Sequence, residues 1–100
     1  MSIEVTARHA QINERLQQYA REQADTISQE FSKVEHVQVV LNYERHKYSA
    51  EFVVRNKGGQ IVAADEHPDN VMTAIDGALD KVRRQMRKQR DKQVGARNAG

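Results

Sequence analysis

Residues 35–65 establish most of the architecture of this chain. They read EHVQVVLNYERHKYSAEFVVRNKGGQIVAAD, and they alternate apolar and polar side chains in three runs, as strands with one buried face do. We assign residues 35–44, 48–56 and 61–65 to three consecutive strands. The KGGQ sequence at residues 57–60 predicts a hairpin turn between the last two, because glycine tolerates the positive φ of such turns.

The flanking residues add one strand and two helices. Residues 2–7 alternate and form a short first strand, while residues 14–31 repeat apolar side chains at helical spacing behind a candidate N-cap, Asn13. A second helix is predicted over residues 69–92. Its apolar stripe consists of Met72, Ile75, Leu79, Val82 and Met86.

The predicted element order is therefore β-α-β-β-β-α, an α+β fold. The first two strands should be parallel neighbours, since a helix connects them, and the remaining strands should pair antiparallel. Each helix has one apolar stripe, so both should pack on the same face of a four-stranded sheet. We expect a single domain over residues 1–93 and a flexible tail over residues 94–100.

Composition excludes several classes of function. The chain contains no cysteine, so disulfides and thiolate metal sites are excluded and a reducing, cytoplasmic location is expected. No apolar run reaches the length of a membrane span or of a signal peptide. The four histidines lack helical pairing and no phosphate-binding or nucleophile motif occurs. We expect no enzyme activity, no metal, no cofactor, no small-molecule substrate and no membrane partner.

The charge is distributed unevenly along the chain. The net charge is only +2, yet residues 1–80 balance at −5 and residues 81–100 at +7. A block of positive charge on one terminal segment indicates a polyanionic partner.

A helical wheel divides these cations into two stripes, with each residue advancing ~100°. The stripe opposite the apolar residues consists of Lys81, Arg84, Lys88 and Lys92. A second stripe along one side consists of Arg83, Arg87 and Arg90. Cations near a helix C-terminus also favour its dipole, so a purely structural explanation stays open for each residue alone.

Neighbouring carboxylates and aromatic residues refine this interpretation. Asp80 can reach Arg83 and Arg84, whereas Lys81, Lys88 and Lys92 have fewer acidic neighbours and are expected to be freest for phosphates. Only five residues are aromatic, and no aromatic pair within a strand suggests a platform for stacking bases. Recognition of folded RNA through its backbone is the better expectation.

These features resemble the short form of the bacterial ribosome hibernation promoting factor and ribosome-associated inhibitor family. The resemblance covers essentially residues 2–93. It is carried by VTARH at residues 5–9, INERL at 12–16, VQVVL at 37–41, GGQIVA at 58–63 and, most specifically, NVMTAIDGALDKVRRQMRKQRDK at 70–92. The family commonly has Asp-Met-Tyr ahead of Ala-Ile-Asp, where this chain has Asn70, Val71 and Met72. The printed residues fit either a complete short form or the first domain of a longer member.

The resemblance implies a fold similar to a double-stranded RNA-binding domain and a translation inhibitor, monomeric when free. Its partner would be the rRNA of the small ribosomal subunit, in the channel for mRNA and tRNA, under stress or in stationary phase. The family's basic positions fall on Lys81, Arg84, Lys88, Arg90 and Lys92, with Arg83 and Arg87 ranked second. Candidates for peripheral contacts are Arg8, His9, Arg45, Lys47, Arg55 and Lys57. A general structured-RNA-binding domain and a module for an acidic protein partner are the alternatives.

Overall fold

The computed structural model of the chain describes the backbone of residues 2–99 and the side chains of residues 2–89. The predicted element order is confirmed. The elements are β1 (Ser2–Ala7), α1 (Glu14–Glu30), β2 (Val34–Glu44), β3 (Lys47–Asn56), β4 (Gly59–His67) and α2 (Val71–Ala99).

The four strands form one sheet in sequence order, β1-β2-β3-β4. As predicted, β1 lies parallel to β2, with Val5 opposite Val39. The two following pairs are antiparallel, with Val39 opposite Phe52 and Phe52 opposite Ala63. These register positions place the fully buried side chains of β2 and β3 on one face, under both helices.

Helix α1 begins where its sequence provides a cap. The Asn13 side-chain oxygen accepts a hydrogen bond from the Leu16 amide at 3.0 Å, which satisfies one of the unpaired donors of the first turn. Ala20, Ala24 and Ile27 are buried, so this helix presents one apolar stripe to the sheet. Small side chains at two of these positions let the helix lie close to the strands.

Helix α2 corrects two predictions. Met72 was assigned to the core, but it is 39% exposed, while Val71 is buried. The buried stripe instead runs from Val71 through Ala74, Ile75, Ala78, Leu79 and Val82 to Met86. The helix also continues to Ala99 instead of ending near residue 92, because Gly95 is a single weak breaker among residues that tolerate a helix. The flexibility of residues 94–100 stays a prediction.

Two tight turns connect the antiparallel strands. Gly59, within the predicted turn of residues 57–60, has a φ of +137°, a conformation in which a side chain would be strained. The turn between β2 and β3 is less expected, since Arg45 and His46 both have positive φ, at 53° and 63°. This conformation favours Asn-Gly and costs other residues about 1–2 kcal/mol each.

Helix α2 and β4 approach each other most closely at Gly77. A Cβ added there would lie 1.8 Å from the Asp65 Oδ2 atom, so only glycine leaves room for this carboxylate. The Asp65 side chain cannot move away freely. Its Oδ1 atom accepts the Glu66 amide at 2.9 Å and lies 3.6 Å from the Lys81 ammonium.

We expect Gly77→Ala to lower the free energy of unfolding by about 1 kcal/mol, because overpacking against Asp65 outweighs the better helix propensity of alanine. In an Asp65→Ala background the same substitution should be less destabilising by at least ~1 kcal/mol. Urea unfolding of the four proteins measures this coupling. Additive effects would show that Asp65 does not set the glycine requirement.

Candidate nucleic-acid interface

The cations of α2 are oriented by the packing of its opposite face. Val82 and Met86 are the last buried side chains of this helix among the described residues. The helical backbone continues from there to Ala99, and the whole molecule is elongated, with extents of 51 × 24 × 16 Å. The cationic segment thus begins on the packed part of α2 and continues toward the C-terminal end of the helix.

Lys81 is held by the edge strand of the sheet. Its ammonium donates a hydrogen bond to the Ala64 carbonyl oxygen at 2.9 Å and lies 3.6 Å from Asp65 Oδ1. Lys81 was expected to be among the cations freest for phosphates, but it has a carboxylate and a carbonyl partner on β4. This lysine covers an unpaired carbonyl of β4, a common way to protect a sheet edge from unwanted pairing.

Arg84 and Lys88 form the most accessible part of the predicted stripe. The Arg84 side chain is 76% exposed, and its guanidinium lies 2.9 Å from Asp80 in the predicted pair. Such an exposed pair contributes only about 0–1 kcal/mol, so a phosphate can replace the carboxylate at little cost. Lys88 is exposed, and no carboxylate among the described side chains lies within ion-pair distance of it.

Arg83 and Arg87 are instead directed toward α1. The Arg83 guanidinium donates to Glu30 Oε2 and to Thr26 Oγ1, both at 2.9 Å. Arg87 donates to the other oxygen of Glu30 at 3.3 Å. Glu30 thus links both arginines to the end of α1, an arrangement that we call the Glu30 clamp. The sequence indicated that Asp80 can reach Arg83 but did not reveal Glu30, since helical spacing shows only partners on the same helix.

The remaining predicted residues are Arg90 and Lys92. Their side chains, and that of Asp91, lie outside the described side chains, although the helical backbone continues through them. The structure therefore brings Arg84 and Lys88 together on one exposed edge. It places Lys81 against β4 and Arg83 with Arg87 against α1.

Few other chemistries are available within residues 2–89. No group of three or more histidines and carboxylates among them could hold a metal ion. None of the described helices is both long and apolar enough to cross a membrane. Asp76 and Asp80 lie four residues apart, and each has a structural partner: Asp76 accepts a hydrogen bond from the Tyr19 hydroxyl, and Asp80 pairs with Arg84.

A small α+β domain with an exposed cationic helix edge is typical of proteins that bind polyanions. Comparison with known proteins identifies the family within this class. The sequence profile of the family described as "Sigma 54 modulation protein / S30EA ribosomal protein" matches residues 3–94. The chain belongs to this family.

Its relatives have consistent names. A Pseudomonas putida protein named ribosome hibernation promoting factor is 31% identical over 93 residues, which cover 93% of this chain and 90% of that protein. The Escherichia coli protein of the same name is 32% identical over 92 residues, covering 92% and 96%.

Solved structures share the fold. A ribosomal subunit interface protein from Coxiella burnetii superposes with a TM-score of 0.80 at 19% identity, covering 91% of this chain and 99% of that one. The N-terminal domain of Thermus thermophilus Protein Y gives a TM-score of 0.73 at 26% identity, covering 88% and 98%. The fold predicted from the sequence is thereby confirmed.

The Glu30 clamp predicts a pH-dependent stability. Hydrogen bonding to Arg83, supported by Arg87, lowers the pKa of Glu30 below its ordinary value. A lowered folded-state pKa contributes stability above the unfolded pKa, and this contribution is lost as the pH falls through the folded pKa. We expect Glu30→Gln to lower the free energy of unfolding by up to ~1 kcal/mol near neutral pH, since the carboxylate is partly exposed.

Urea unfolding at a series of pH values below about 7 measures this effect, and the difference between Glu30→Gln and the unmodified protein should shrink as the pH falls through the folded-state pKa of Glu30. Glu22→Gln, on the exposed face of the same helix, is the matched control and should show a smaller difference at neutral pH. A Glu30→Gln difference that persists in acid would contradict a charge-based clamp.

Proposed function

We propose that the chain inhibits translation by binding the rRNA of the small ribosomal subunit. In this proposal it occupies the channel that otherwise holds mRNA and tRNA, and so promotes ribosome hibernation under stress or in stationary phase. The observation that carries the proposal is the exposed Arg84–Lys88 edge of α2. Membership of the family, and relatives named ribosome hibernation promoting factor, support the ribosome as the partner.

The proposed mechanism is occupancy and requires no chemical step. Arg84, Lys88, Arg90 and Lys92 would meet rRNA phosphates, with Lys81 adding charge from the edge of β4. Arg83 and Arg87 rank second, since the Glu30 clamp already engages them. Phosphate contacts fix position and orientation without reading sequence, which suits a protein that only has to fill a site. The protein would act as a monomer in the cytoplasm, where ribosomes are found.

Charge reversal on the exposed edge tests this proposal. We expect Arg84→Glu combined with Lys88→Glu to weaken binding to small subunits by roughly 10-fold or more near physiological salt, because attraction to phosphates becomes repulsion. Sucrose-gradient co-sedimentation measures the bound fraction. Lys81 is left unchanged because its substitution would also remove a contact with β4.

Arg15→Glu combined with Arg21→Glu provides the matched control. Both arginines are exposed on α1, and the double substitution changes the net charge by the same amount. Arg21 also donates to the Ile3 carbonyl oxygen at 3.5 Å, so urea unfolding of this variant accompanies the binding measurement. Equal losses in the two proteins would mean that only net charge matters. Unchanged binding of the α2 variant would exclude this edge as the interface.

Salt dependence provides an independent prediction. The logarithm of the binding constant should fall linearly with the logarithm of the salt concentration, because each neutralised phosphate releases counterions. Replacing Lys88 with Ala should reduce the magnitude of this slope by about 1, the change expected for one lost phosphate contact. Filter binding at several salt concentrations checks it, with Arg15→Ala as the control that should retain the slope.

The runner-up function is general binding of structured RNA. This function would be favoured if the protein bound free duplex RNA as tightly as it binds small subunits. A pull-down dominated by a protein partner and insensitive to RNase would instead favour a protein-binding module.

A further inference from the structure

A row of rings crosses the end of the sheet that lies farthest from the C-terminus of α2. Tyr43 and Tyr48 are register partners on β2 and β3, and His67 of β4 lies opposite Tyr48. His9, two residues beyond β1, extends the row next to Tyr43. One ring therefore comes from each strand or its immediate extension. The sequence shows no pair of aromatic residues within one strand, whereas Tyr43 and Tyr48 pair between the neighbouring strands β2 and β3.

The members of the row are fixed at defined positions. The His9 ring meets Tyr43 edge-on with 5.3 Å between centroids, and Tyr43 and Tyr48 are tilted at 4.7 Å. The Tyr48 hydroxyl donates to Gln11 Oε1 at 3.0 Å. His67 Nδ1 accepts the amides of Asp69 and Asn70 at 3.1 and 3.0 Å. Because each ring is held by its edge or by a neighbour, the row is preorganised.

The centre of the row remains accessible. Tyr48 packs against the core, but Tyr43 is only half-buried and His9 is exposed. Aromatic surface that stays open to solvent on a rigid support is the feature by which proteins stack unpaired bases.

Two exposed arginines, Arg8 and Arg45, lie beside these rings in the chain. The strained turn places Arg45 and His46 two residues beyond the Tyr43–Tyr48 pair, after the Glu44–Lys47 register pair, at positions where Asn-Gly would fit the backbone better. Arg8 is exposed next to His9, and its amide bonds to the Leu41 carbonyl. Two carboxylates also lie nearby: Glu44 accepts a hydrogen bond from the neutral Asn42 amide group, and Glu66 lies 4.0 Å from the Lys47 ammonium.

We propose that this row of rings binds an unpaired nucleotide of RNA. The base would stack on Tyr43 beside His9, and the phosphate would meet the guanidinium of Arg45 or Arg8. The inference deepens the proposed function by adding a second RNA contact of different chemistry. Lys88 lies about 25 Å along α2 from its first residue, at ~1.5 Å per residue, so one nucleotide cannot contact both sites.

Binding of a fluorescein-labelled, single-stranded 12-nucleotide RNA of mixed sequence, followed by fluorescence anisotropy, tests the inference. We expect Tyr43→Leu to weaken binding by roughly 10-fold, the loss typical of one stacked base. Tyr43→Phe should restore most of the affinity, because stacking requires the ring and not the hydroxyl. His36→Leu, which removes a ring from the opposite face of β2, is the matched control and should bind like the unmodified protein.

His9→Ala guards against a folding defect, since His9 is exposed and outside the core. It should weaken binding several-fold while urea unfolding stays unchanged. Unchanged affinity in both Tyr43→Leu and His9→Ala would overturn the inference. Equal losses in Tyr43→Leu and Tyr43→Phe would also overturn it, because the ring would then not be the binding element.

The experiment separates this inference from the proposed function. The Arg84→Glu, Lys88→Glu protein should still lose oligonucleotide affinity when Tyr43→Leu is added. If the unmodified protein fails to bind small subunits but ring-dependent binding of the oligonucleotide persists, only the proposed function is wrong. If small subunits bind through α2 and the ring variants bind the oligonucleotide normally, only the second contact is wrong.

Discussion

The packing of α2 on the sheet is the constraint on which the rest of the structure depends. One stripe of small and medium apolar side chains, from Val71 to Met86, is buried against β3 and β4. Since a helix is rigid about its axis, burying this stripe fixes the direction of every other side chain on it. The close approach at Gly77 sets the depth of this packing, and through Asp65 it also places the ammonium of Lys81.

The carboxylates around α2 divide its cations by function. Glu30 bonds Arg83 and Arg87 where both are partly shielded, and Asp65 restrains Lys81. Asp80 meets Arg84 in water, where an ion pair contributes little. A high local charge therefore does not mean that every cation is equally available. Among the described residues of the predicted stripe, Arg84 and Lys88 are the most accessible. Arg83 and Arg87, on the neighbouring stripe, instead bind Glu30 and stabilise the packing of α2 against α1.

The sequence predicted the elements, the parallel pair and the layer arrangement, because local periodicity encodes which face of each element is buried. It could not predict Glu30 as the partner of Arg83, since 53 residues separate them and only the folded chain brings them together. Met72 was misassigned because it and Val71 are adjacent apolar residues at the start of a helix, and packing alone decides between them. The pairing of Tyr43 with Tyr48 was not predicted, because the turn between their strands is formed by Arg45 and His46 and lacks the glycine or asparagine that usually marks a tight hairpin. The helical wheel could predict the Arg84–Lys88 edge because both residues lie on the same helix.

A protein that acts by occupying a site benefits from presenting its charges in a fixed arrangement, since ordering them on binding would reduce affinity. Two cross-helix contacts provide this order: the Tyr19 hydroxyl meets Asp76 in the early part of α2, and the Glu30 clamp acts near the end of its packed part. The hydrogen bond to Asp76 also raises the pKa of Tyr19 to about 12, so this contact keeps its proton across the physiological range. Arg84 and Lys88, four residues apart, repel each other by a few tenths of a kcal/mol in the free protein. A bound phosphate would remove that repulsion, so phosphate binding should also stabilise the part of α2 around Arg84 and Lys88.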